Sequence, residues 1–258
     1  MFENIYPIFE RKRLLKIEML SNLRDYPRAY FDIMHRNYSN GVLAGTDLCV
    51  TNDAITIGPG ILFWRGIPYV MRTECNFYYE ATDQASYLKV KFLEEQHSVD
   101  CLAYLTEIYI SAEPAKDGQE LELARYKLQK GARLRTEYTD FYDFDTEFDT
   151  LNRIHMPYAS VENSTIWPEV TKTFARTMLS HSAKDSLDCM FCLSCLQAEG
   201  GVASEMICQY LNIRLDDRRA AYSNYEIYQA FGRILAGQSG SRTIGQQENH
   251  TQKKMLLI

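Results

Sequence analysis

The run CMFCLSC places Cys189, Cys192 and Cys195 at successive spacings of three. Thiolates in a C-x2-C-x2-C pattern can hold an iron–sulfur cluster or a zinc ion, with Cys208 or His181 as a fourth ligand. The same spacing puts all three thiols on one side of a helix, beside Leu187, Phe191 and Leu196. A cluster needs a loop that wraps it, and no Gly or Pro interrupts this segment. Close helix packing is therefore the leading reading, and no cofactor is expected. Cys189, Cys192, Cys195 and Cys208 stand as the alternative, a cytoplasmic metalloprotein with a Cys-rich helix.

A second cluster, DFYDFDTEFDT, carries Asp140, Asp143, Asp145, Glu147 and Asp149. A calcium loop needs such oxygens plus a glycine at its sharp turn. The glycine is missing and rings fill the intervening positions, which describes an extended segment with one wet and one dry face. In ITIGPGILFWRGIPYVM, Gly58-Pro59-Gly60 resembles a phosphate loop only in its glycines. No following G-K-[ST] and no third glycine of a dinucleotide site is present. There is no G-x-S-x-G and no H-E-x-x-H, and His35, His97, His155, His181 and His250 are scattered. No catalytic residues are expected, and the chain reads as a non-enzyme.

The elements that position these residues follow from pattern. ERKRLLKIEMLSNLR sets Leu14, Leu15, Ile17, Met19, Leu20 and Leu23 close to a helical stripe. Asp25-Tyr26-Pro27 should end it, because the residue before a proline avoids the α region, and RAYFDIMHRNY should form a second helix. From Ser39 the chain turns to short β-like runs, TDLCV, AITI, ILFW and IPYVM, separated by Asn-Asp, Gly-Pro-Gly and Arg-Gly. Such punctuation predicts an antiparallel meander. Gly60 and Gly66 would supply positive φ at its turns, and Pro68, lacking an N–H, belongs to an edge strand. SYLKVKF alternates, with Leu88, Val90 and Phe92 facing in and Lys89 and Lys91 facing out, and CLAYLTEIYI is its partner. QELELARYKLQKGARL slips phase after Leu123, which predicts a strand with a bulge; a short helix is the competitor.

The aromatic and acidic stretch up to Ser160 has no sustained period and reads as a connector packed on both halves. Pro168 then opens the first of four helices, PEVTKTFARTMLSHS, AKDSLDCMFCLSCLQAEGG, VASEMICQYLNIRL and NYEIYQAFGRILAG, the last stopped by glycine. The expected organisation is a helical arm over 1–37, an antiparallel β-domain over 38–135, a connector over 136–163, a helical domain over 164–237 and a polar, mobile tail over 238–258 ending in MLLI. The fold class is α+β: N-terminal helices, a small sandwich-like or meander β-domain, then a helical bundle.

The run YSNGVLAGTDLCVTNDAITIGPGILFWRGIPYVM resembles the β-domain of phage tail-fibre and baseplate proteins, through Gly41, Gly45, Ile55, Ile57, Pro59, Gly60, Gly66 and Tyr69. LELARYKLQKGARL is similar to the strand that closes such domains, at Leu123, Ala124, Leu128, Gly131 and Ala132. The resemblance spans about residues 38–135, and the helical half departs from ordinary tail-fibre organisation. It implies a compact structural or adaptor component of a phage tail, a contractile injection system or a prophage particle, at the baseplate or fibre-attachment region. Its partners would be other tail or baseplate proteins and symmetric copies of itself. Phe63, Trp64 and Tyr69, with Phe141, Tyr142, Phe144 and Phe148 of the connector, are the candidate interface rings.

Composition agrees with that class. A formal charge of −6 speaks against nucleic-acid binding. No run of about 18 apolar residues suggests a membrane span. The N-terminal charge order is not that of a secretory signal, so the expected course is synthesis in the cytoplasm and assembly into a virion or tail-like particle. Seven cysteines without scaffold density are expected to stay reduced.

Overall fold

The structure is a computed structural model and describes residues 3–51, 53–180 and 185–251, with side chains described up to residue 237. The MLLI tip and His181 lie outside the described residues. The chain is α+β. Helix α1 spans Ile17–Met34. Eleven strands follow: β1 Gly41–Gly45, β2 Leu48–Val50, β3 Ala54–Ile57, β4 Gly60–Trp64, β5 Ile67–Met71, β6 Cys75–Tyr78, β7 Ser86–Phe92, β8 Gln96–His97, β9 Leu102–Ala103, β10 Thr106–Ser111 and β11 Glu120–Tyr126. After a 3-10 turn at Tyr142–Asp145 come α2 Pro168–Ser180, α3 Ser186–Gln197, α4 Ser204–Leu215 and α5 Asn224–Thr251.

The strands interleave where a meander was expected. β2, β3 and β6 form one antiparallel sheet, β1, β4 and β5 a second, and β10, β7 and β11 a third. Consecutive strands such as β3 and β4 thus part into different sheets. The Gly58-Pro59 corner is the switch, with no amide hydrogen on Pro59 to continue a ladder. Gly60 has no positive φ; it is needed for close approach, since a Cβ there would lie 2.5 Å from the Thr46 nitrogen. Gly66 does take positive φ, at 80°, beside Arg65 at 51°. Two such residues make the tight hairpin whose twist matches its strands. β5 ends its sheet, which agrees with Pro68 in an edge strand.

β7 pairs with β10 as expected, and β11 pairs with its other side with a register shift between Glu122 and Ala124. The bulged strand reading therefore holds. Lys89 is the correction: β7 is central, both its faces are covered, and Lys89 is 2% exposed. Its ammonium ion-pairs with Glu120 at 3.0 Å.

Two further expectations fail for identifiable reasons. α1 runs unbroken through Pro27. The proline deprives the Leu23 carbonyl of its donor, but no residue of α1 is buried, so water can take the donor's place. α5 continues past Gly237 to Thr251, because Gly237 does not adopt the left-handed conformation of a glycine cap.

Two apolar cores result. One lies among the sheets, built on Val42, Ile55, Ile57, Leu88, Val90 and Leu123. The other lies among α2–α5, where Phe174 stacks on Phe231 at 4.1 Å and Phe191 on Tyr210 at 3.8 Å. The segment after β11 feeds both: Leu151 and Met156 enter the first, Phe141, Phe144 and Ile154 the second. Arg153 sits at the junction, 4% exposed, its guanidinium 4.4 Å from the Trp167 ring centroid and donating to the Thr46 carbonyl at 3.1 Å.

Candidate functional site

The Cys-rich segment forms α3. Cys192 and Cys195 are fully buried in the helical core, and burial pushes both thiols up to about 12. At that level they remain protonated at neutral pH. The Cys208 thiol, on α4, donates to the Arg219 carbonyl at 3.4 Å. Among the described residues no three His, Cys, Asp or Glu side chains are placed to hold a metal ion.

The acidic connector is organised by a residue the sequence reading passed over. Arg135 grips Asp143 with two hydrogen bonds of 2.7 Å and reaches Asp149 at 3.2 Å. A fork-to-fork pair of this kind is directional as well as charged. The arginine's hydrogen bonds hold the Asp143 carboxyl down at about 2, against the cost of burial. The Tyr225 hydroxyl donates to Asp145, and the Asn152 amide to Asp145 and Glu147. These carboxylates are engaged in tying strand and helix layers together.

The candidate interface rings divide by burial. Phe63, Trp64, Phe141 and Phe144 are 8% exposed or less and fill the chain's own cores. They can support a contact surface from beneath, but a partner cannot touch much of them. Trp64 stacks on Phe92 at 4.2 Å, and Tyr69 meets the same ring edge-on at 5.1 Å. Tyr69 stays half-buried, while Tyr142 and Phe148 are exposed. The Arg65 corner is fixed by two bonds, its N–H donating to Asn40 Oδ1 and its guanidinium to the Gly118 carbonyl, each at 2.7 Å.

Among the described residues a long run of exposed apolar side chains lies toward the N-terminus. Met19, Leu23, Tyr26, Tyr30 and Ile33 follow one another at spacings of four and three, which is the seam of a helix that packs against another helix. Leu23, Tyr26, Tyr30 and Ile33 are all exposed. Glu18, Asp25 and Asp32 form a separate acidic row at intervals of seven, about a third of a turn round from the seam. The helix is held at its C-terminal end, where Phe31 stacks on His35 at 4.1 Å and lies 6.2 Å from Phe63. Ahead of α1 an arm without regular structure bears Ile5, Tyr6, Ile8 and Phe9, each at least 56% exposed. Met19 and Leu23 belong to the stripe expected from the sequence; its continuation through Tyr26, Tyr30 and Ile33 was hidden by the break expected at Pro27.

No family model matches the chain, and no curated protein does. A solved chain described as the crystal structure of TssK is similar in fold over 91% of this chain and 71% of that one, with a TM-score of 0.47 and 10% sequence identity. A likeness of that size is silent on function. No helix among the described residues is long and apolar enough to cross a membrane.

Proposed function

We propose that this chain is a structural component of a tail-like particle, built into its baseplate or fibre-attachment region through protein–protein contacts. The supporting observation is α1: eighteen residues with an apolar seam and not one buried side chain. Exposed apolar rows of this length are uncommon on proteins that work alone, and mark association surfaces. The resemblance of residues 38–135 to tail-fibre and baseplate β-domains supports that class of assembly. The arm and α1 engage neighbours, the sheets carry the contact face, and the helical half braces both.

The physical role follows from the cores. Arg153, which reaches the Thr46 carbonyl and the Trp167 ring, and the connector rings join the two halves. Electron microscopy of purified particles, with mass spectrometry of their components, tests the reading. The chain is expected at fixed stoichiometry in tail-like particles; its absence from them, with a stable isolated monomer, refutes it.

A further inference from the structure

β5 and β10 each end a sheet, and they face one another across a cleft of about 320 Å3. Leu62, Val70, Met71, Val90, Leu105 and Ile108 give it an apolar lining. Val70 and Leu105 remain 60% and 44% exposed on opposite walls. Through Tyr69 and Tyr104 the cleft continues into a wider one of about 650 Å3, which Glu94 and Glu95 border. Of the cations at that end, Arg65 is turned to the Gly118 carbonyl, Lys91 stands opposite Glu107 in the sheet register, and the exposed His97 ring lies 2.5 Å from Glu95. The combination is an apolar slot with strand edges along both walls and carboxylates at one end. Two strand edges call for an extended chain, whose backbone can pair with either while its side chains fill the slot.

The N-terminal arm has that chemistry. Ile5, Tyr6, Ile8 and Phe9, with Pro7 among them, form a short apolar run in no sheet; Glu10, paired with Arg13 at 2.8 Å, follows, and then Arg11 and Lys12. The order, apolar and then basic, matches the slot and its acidic end. The chain's own arm does not fill its own slot: both are bare in the single chain, although α1 passes close enough for Arg28 to act on Tyr104. A second copy is the occupant that covers both.

We propose that residues Ile5–Phe9 of one copy lie in the cleft between β5 and β10 of a second copy, as an added strand, with Arg11 and Lys12 against Glu94 and Glu95. This is a contact between identical chains and does not depend on the particle reading above.

The test uses the full-length protein with a photo-crosslinking amino acid at Tyr6, mixed from heavy-isotope and ordinary preparations. Irradiation is expected to join Tyr6 to peptides containing Tyr69–Met71 or Tyr104–Ile108, with heavy–light pairs among the products. Crosslinks to those peptides only within one chain would overturn the proposal, as would crosslinks elsewhere or none. Sedimentation provides an independent reading. Ile8→Asp and Val70→Asp, both at exposed positions, are each expected to weaken self-association at least tenfold with unchanged circular dichroism. Glu94→Lys with Glu95→Lys is expected to weaken it less, and Arg11→Glu with Lys12→Glu to restore it in that background. Self-association unaltered by Ile8→Asp and Val70→Asp, or charge reversals that fail to compensate, would also overturn it.

Discussion

Replacing Lys89 with Met should destabilise the β-domain far more than a lysine on an alternating strand would suggest. The ammonium donates to Glu120 at 3.0 Å and to the Pro114 carbonyl at 3.3 Å, and lies 5.1 Å from the Tyr109 ring centroid. Glu120 in turn accepts from the Tyr109 hydroxyl and from the Lys116 N–H. Burial opposes the charge on Glu120, but the tyrosine, the Lys116 N–H and Lys89 outweigh it and hold the carboxyl at about 2 against an ordinary 4.5. That difference corresponds to roughly 3 kcal/mol at neutral pH; the network lies close under the surface loop before β11, and screening trims it to about 2 kcal/mol. Removing only the lysine strands a buried carboxylate, for which about 3–5 kcal/mol is usual. Lys89→Met with Glu120→Gln should cost clearly less than the sum of the two single changes. Because the folded pKa is depressed, this stability is present above about pH 4.5 and is lost as pH falls toward 2. Urea unfolding at pH 7 and pH 3 reads both effects. The gap between wild type and Glu120→Gln should shrink by more than half at pH 3. A Lys89→Met cost below about 1 kcal/mol at pH 7, or a gap that does not change with pH, would refute the buried-pair account.

Other outcomes follow from the same geometry. Arg135→Met should cost about 3 kcal/mol and let the Asp143 carboxyl rise from about 2 toward the ordinary range, which NMR titration would follow. Gly60→Ala should cost about 3 kcal/mol or more in thermal unfolding, since its Cβ meets the Thr46 backbone at 2.5 Å. Leu23→Asp with Tyr30→Asp should change unfolding free energy by no more than about 0.5 kcal/mol per site, because both are exposed, yet remove the chain from its assembly in a pull-down.

The sequence made the element types legible wherever one local rule decided them. Pro68 without an N–H marks an edge, Pro168 opens a helix, and the phase slip after Leu123 marks a bulge. Rules that depend on the other side of an element were not legible. Alternation in SYLKVKF is the same whether Lys89 meets water or a buried carboxylate; the clue lay in Glu120 and Glu122, spaced to face it from another strand. The break expected at Pro27 rested on the local preference of the residue before a proline, and α1, with no buried residue, runs through it.

The interface rings show why a contact surface is harder to read than a core. Phe63 and Phe144 have the composition of hot-spot residues, but composition cannot distinguish a ring that a fold has already covered from one it has left bare. Their burial transfers the candidate surface to Leu23, Tyr30, Ile33 and the arm ahead of them. Leu23 lies on a helical stripe, and its spacing alone does not tell a buried position from a bare one. The polar side of α1 supports the same conclusion. Glu18, Asp25 and Asp32 keep one side of it wet in any assembly, which leaves the apolar seam to dock. A helix with no buried side chain contributes little to the stability of the lone chain, and its amphipathic pattern makes physical sense when a second surface completes it.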